Sequence, residues 1–115
     1  MTITIINDSA TISTTEYSLP ADTTTGVPTS QTDDCILAVI IGFQNMVAGD
    51  QYEIKLYESD GVTQGLIETW ITPMGVQSKP KFSIPSHILG VGWDLTVKRL
   101  AGADRTISWS LRKVT

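Results

Sequence analysis

Apolar and polar residues alternate along most of this chain, and no window of a dozen residues sustains the 3.6-residue spacing of an amphipathic helix. Trp93, Leu95 and Val97 alternate with Asp94, Thr96 and Lys98, and Ile107, Trp109 and Leu111 alternate with Thr106, Ser108, Ser110 and Arg112. Tyr52, Ile54 and Leu56 do the same against Glu53, Lys55 and Tyr57. A period of two sends successive side chains to opposite faces of a strand, so a chain written this way must bury one face of each sheet against another layer. The pattern predicts an all-β fold, a single-domain antiparallel β-sandwich of jelly-roll type with about eight strands.

The predicted strands are 2 to 6, a looser one within 10 to 19, 35 to 43, 51 to 58, 66 to 72, one around Pro80, 92 to 100 and 106 to 114. Ser13 and Glu16 imitate a helix capping box, but nothing helical follows them. Residues 1 to 9 read as an N-terminal arm or edge strand, and 20 to 34, crowded with Thr, Pro, Gly and Asp, as a long loop or an arm ordered on a partner. "CILAVIIGF" is apolar on both faces, so it is either central and covered or borders another subunit. It is expected to form a hairpin with 51 to 58, and 92 to 100 to form one with 106 to 114 around "AGADR". Asp60-Gly61 supplies a turn dipeptide before "LIETWIT". Pro80 cannot donate a ladder hydrogen bond, which puts its strand at an edge or breaks it there. "SHILG" reads as one helical turn capped by Ser86 or as more strand. Trp93 and Trp109 fall on the apolar parity and read as core, whereas Trp70 shares its parity with Leu66 and Glu68.

A chain of 115 residues is sized for one core. No apolar run approaches the ~20 residues that span a bilayer, so no membrane partner is expected. The start, "MTITIINDSA", lacks the basic and apolar regions of a secretion signal, which points to synthesis in a cytoplasm. Charge is lopsided. Residues 1 to 60 hold nine acids against Lys55 alone, a net of -8, and residues 61 to 115 hold seven bases against three acids, a net of +4. Either these charges are solvated on two faces of one molecule, or an acidic patch on one copy meets a basic patch on another.

Little in the chain points to chemistry. Cys35 is the only cysteine and lies among Ile36, Leu37 and Val39, which reads as a buried thiol rather than a nucleophile. His87 is the only histidine, so a histidine-rich metal site cannot be assembled within one chain, and with no nucleophile motif near it His87 reads as a surface or half-buried structural residue rather than a catalytic one. Neighbouring Asp33 and Asp34 diverge in extended backbone, and calcium would require them to converge with Asp22 or Asp50 without the EF-hand spacing. The nucleophile-elbow, P-loop and dinucleotide glycine patterns are missing, and the sequon at Asn7 is idle outside a secretory route. Lys98, Arg99, Arg105, Arg112 and Lys113 gather near the end, but an overall pI near 4.7 opposes nucleic acid as a partner. No catalytic residue, metal or cofactor is assigned.

"TTEYSLPADTTTGVPTSQTDD", "AGDQYEIKLYE" and "ILGVGWDLTVKRLAGADRTISWSLRKV" together resemble small virion proteins of tailed bacteriophages, over about residues 11 to 114. The resemblance implies a structural protein of the particle, a head decoration (cement) protein on the capsid exterior. Its partners would be the major capsid protein and copies of itself, most simply a trimer. On that reading Ile3 and Ile5 add a strand to a partner sheet. Ile36, Ile40, Asp33 and Asp34 make subunit contacts, and Lys98, Arg99, Arg105 and Arg112 form a basic edge facing acidic surface. The alternative is a tail or baseplate component that touches the host through Trp70, Tyr57 and Tyr17.

Overall fold

A computed structural model describes residues 2–26, 28, 31–59 and 62–115. Its described residues form nine strands: β1 (Ile3–Ile12), β2 (Tyr17–Ser18), β3 (Thr23–Thr24), β4 (Cys35–Gly42), β5 (Gln51–Ser59), β6 (Gln64–Ile71), β7 (Lys81–Leu89), β8 (Asp94–Ala101) and β9 (Arg105–Val114). They make two antiparallel sheets, one ordered β1-β9-β4-β7 and the other β3-β2-β8-β5-β6. With the two-residue β3 set aside, four strands face four in the interleaved order of a jelly roll. The expected all-β sandwich is therefore the fold.

The inner faces follow the period-two alternation. Leu37, Val39 and Ile41 of β4 and Ile107, Trp109 and Leu111 of β9 meet Tyr52, Ile54 and Leu56 of β5 and Leu95 and Val97 of β8. Trp93 is fully buried, and its indole N–H donates to the Asp33 carbonyl at 3.0 Å, which satisfies its one polar atom. Rings continue the core towards one open side: Phe43 lies 6.0 Å from Tyr52 and 6.5 Å from Phe82.

Pairing corrects the two expected hairpins. The strands 35 to 43 and 51 to 58 lie in opposite sheets, as do 92 to 100 and 106 to 114. Both members of each pair carry a strongly apolar face, and such faces are buried by stacking across the ~10 Å between sheets. The second crossing needs only Gly102 to Asp104, a stretch of chain that can span that gap. Gly102 turns the corner with φ of 86°, where a Cβ would collide with Asp50. The pair β5–β6 is a true neighbour pair in both sequence and sheet; the Asp60-Gly61 turn lies outside the described residues.

Three boundaries differ as well. The two strands expected before residue 20 are one ten-residue strand, β1, and then the short β2. Asn7, Asp8 and Ser9 stay in the ladder because on an edge their backbone pairs with β9 while their side chains remain in water. Within 20 to 34, Thr23–Thr24 pairs with β2, which raises the strand count to nine. Residues 86 to 89 continue β7, with no helical turn. Pro85 sits where the β4–β7 register slips, and β7 is an edge strand, as proline requires.

Candidate association face

The strand β4 is apolar on both sides because it is central in its sheet, between β9 and β7, yet its outer side is not covered. Register places Ile3, Val114, Ile36 and Ile88 in one row across the outer face, on four adjacent strands. Ile3 is 60% exposed, Ile36 39% and Ile88 83%. The next row begins with Ile5, 58% exposed, and runs through Arg112 and Ala38. One row further, Asn7, Ser110, Ile40 and Ser83 turn the surface polar. The outer face is thus amphipathic along the strands, with its apolar end beside the chain termini.

That end meets an open strand edge. Thr2 and Thr115 exchange both backbone hydrogen bonds, at 2.9 and 3.0 Å. In an antiparallel ladder bonded and non-bonded pairs alternate, so Ile3, Ile5 and Asn7 direct their N–H and C=O groups away from β9. Among the described residues these groups meet no partner. Beyond them the edge is blunted: Asp8 takes the parity of the core face at the rim of the sheet, and its carboxylate accepts the Ser9 N–H at 2.8 Å. The opposite edge, β7, is interrupted by Pro85 and the register slip.

The predicted basic edge is not one surface. Lys98 lies 3.8 Å from Glu53 on the outer face of the second sheet, and Arg99 lies 3.3 Å from Asp104. Arg105 donates from Nε to the buried Asp50 carboxylate at 2.7 Å. Arg112 is exposed on the outer face of the first sheet, apart from these three. Asp33 accepts from the Lys113 ammonium at 2.8 Å, and Asp34 is exposed beside Cys35. Acids of the first half and bases of the second therefore meet within one molecule, at Glu53–Lys98, Asp50–Arg105 and Asp33–Lys113.

These pairs have consequences for protonation. The Arg105 guanidinium, helped by the Val47 and Ala103 amides, holds the Asp50 carboxyl down at about 2. Lys113 lowers Asp33. Burial, with the Asp22 carboxylate as acceptor of its hydroxyl at 2.7 Å, pushes Tyr17 up to about 12. Burial likewise raises Tyr57, whose hydroxyl donates to Glu16, itself bound by Thr96 at 2.8 Å and Lys55 at 3.5 Å. The Cys35 thiol is buried and pushed up by desolvation, which makes it a poor nucleophile. His87 is half-buried opposite Leu37. Among the described residues no three acidic, histidine or cysteine side chains converge to hold a metal, and no helix is long and apolar enough to cross a membrane.

Sequence reasoning missed Val114 and Ile88. Both share a row with Ile36, but only the pairing of β4 with strands before and after it shows this; the one signal along the chain was the apolar residue on the wrong parity in each strand.

No protein-family model matches the chain. No curated protein matches it either. Among solved structures it is similar to a chain from Bacillus endospore appendages, described as a novel family of disulfide-linked pili, with a TM-score of 0.51 and 16% identity over 98% of this chain and 87% of that one. At that identity the likeness concerns the fold.

Proposed function

We propose that this chain is a non-enzymatic structural subunit that attaches to a larger assembly through the apolar end of its outer sheet face and the open edge of β1. In the terms of the resemblance it is a head decoration protein of a tailed bacteriophage, seated on the major capsid protein and on copies of itself. The observation that carries this reading is the four-strand apolar row continuous with unpaired backbone at Ile3 and Ile5. A strand edge with apolar side chains beside it is a template for adding a partner strand. Mass spectrometry and reconstruction of purified particles test it, and absence of the protein from the head would end the decoration reading. Deleting residues 1 to 9 is a poor test because it strips β9 of most of its pairing with β1; substitution on the exposed face is the cleaner one.

A second reading, subunit of a filament, draws support from the pilus chain of similar fold. Its test is polymerisation of the purified protein alone into fibres. The chain's one cysteine is buried, so such a fibre would be held by noncovalent contacts. The tail or baseplate alternative loses two of its three aromatics to internal contacts: Tyr17 packs 5.7 Å from Trp109, and the Tyr57 hydroxyl is bound to Glu16. Only Trp70 remains for it.

A further inference from the structure

The outer edge of β1 is self-complementary. Its stretch "TITIIN", from Thr2 to Asn7, is rich in β-branched residues and carries no charge, proline or glycine, in a chain of net charge -4. Segments of about six residues with that composition pair with copies of themselves when an edge leaves them free. This edge is free: Thr2 to Ser9 are all exposed, and Ile3, Ile5 and Asn7 turn their N–H and C=O groups away from β9. At the other margin of the same sheet, β7 is broken by Pro85 and the register slip.

We propose, resting on the attachment reading, that this edge takes a second copy of the chain. The two β1 strands pair antiparallel about a two-fold axis normal to the sheet, which keeps both outer faces on one side and leaves the apolar face for the larger assembly. The joined sheet then ends in two interrupted β7 edges, so pairing closes at a dimer rather than running on.

The hydrophobic pattern selects the register. With Ile3 opposite the copy's Ile5, the outward N–H and C=O groups of both residues are bonded across the axis, and Thr4 meets its own counterpart in a non-hydrogen-bonded pair. The row Ile88, Ile36, Val114, Ile3 continues into the copy's Ile5, and the reverse, so the two apolar ends fuse into one band. Sliding to Ile5 opposite Ile5 would set Ile3 against the polar Asn7. Sliding further would bring Asp8 opposite Ile6 and then opposite the copy's Asp8, where like charges repel. A foreign strand would need the same short uncharged alternation, which a copy supplies by symmetry.

Sedimentation equilibrium of the whole free chain over a concentration series should show a monomer in exchange with a dimer. Ile5→Pro removes an N–H that points away from β9, so the β1–β9 ladder stays while dimerisation weakens about tenfold or more. Thr4→Cys should cross-link two copies under mild oxidation, since the paired Cα atoms lie about 4.5 Å apart. Ile6→Cys, about 13 Å along the strand from its counterpart, should not. Both positions are exposed, and the native Cys35 is buried. The pairing is overturned by a monomer at every concentration, by a trimer, by a folded Ile5→Pro chain that dimerises as the parent does, or by a cross-link that forms at Ile6→Cys or fails at Thr4→Cys. If Ile5→Pro does not fold, the cross-links decide. Co-sedimentation with particles reads attachment separately: a monomer that attaches removes only the pairing, and a dimer that does not attach removes only the attachment reading.

Discussion

Replacing Ile3 and Ile5 by threonine separates attachment from folding. Both positions are exposed by more than half, 60% and 58%, so together they present rather more than one whole isoleucine side chain to water. Covering that surface in an assembly is worth about 2–3 kcal/mol. Threonine keeps the β-branched geometry of a strand and leaves the β1–β9 ladder intact, so the isolated variant should unfold within about 0.5 kcal/mol of the parent. Attachment should weaken by roughly 30- to 150-fold, at about 1.4 kcal/mol per factor of ten. The assay is co-sedimentation with purified particles over a concentration series, paired with urea unfolding of the free protein. A variant that unfolds like the parent and still attaches with parental affinity would refute the assignment of this face; so would one that loses attachment only in proportion to lost stability.

Other outcomes follow from the interior. The Asp50 carboxyl is held at about 2 in the folded protein against 3.8 ordinarily, so its contribution to stability is present above pH 4 and drains away as pH falls towards 2. Asp50→Asn should lower the midpoint of thermal unfolding at pH 7 and flatten its decline across that window. Gly102→Ala places a Cβ against Asp50 at a φ of 86° and should cost more than about 1 kcal/mol in urea unfolding. Trp93→Ala empties a fully buried site and should cost about 3–5 kcal/mol, read by the same method. The Cys35 thiol should react with Ellman's reagent only after denaturant is added, since it is buried and its deprotonation disfavoured; prompt reaction in the native protein would contradict its placement.

Alternation identified the core face of nearly every strand, because burial of one face follows from the two-residue repeat wherever the strand sits. Trp93 and Trp109 were readable as core on that ground, and Cys35 as a buried thiol. The hairpins were misread because an apolar face looks the same whether the next strand lies beside it or stacks across from it. Lys98, Arg99 and Arg105 looked like one edge because they are close along the chain, yet Glu53, Asp104 and Asp50 reach them from other segments.

The sequence by itself thus determined that this protein is made of strands and which side of β5, β8 and β9 is dry, since these follow from residue type and local spacing. Tertiary structure alone decided which strands became neighbours, that the charge of one half would be neutralised by the other, and that Ile3, Val114, Ile36 and Ile88 would share a row. Those outcomes depend on contacts between residues far apart along the chain, and the free energy of such contacts is set by the packed geometry rather than by any local pattern.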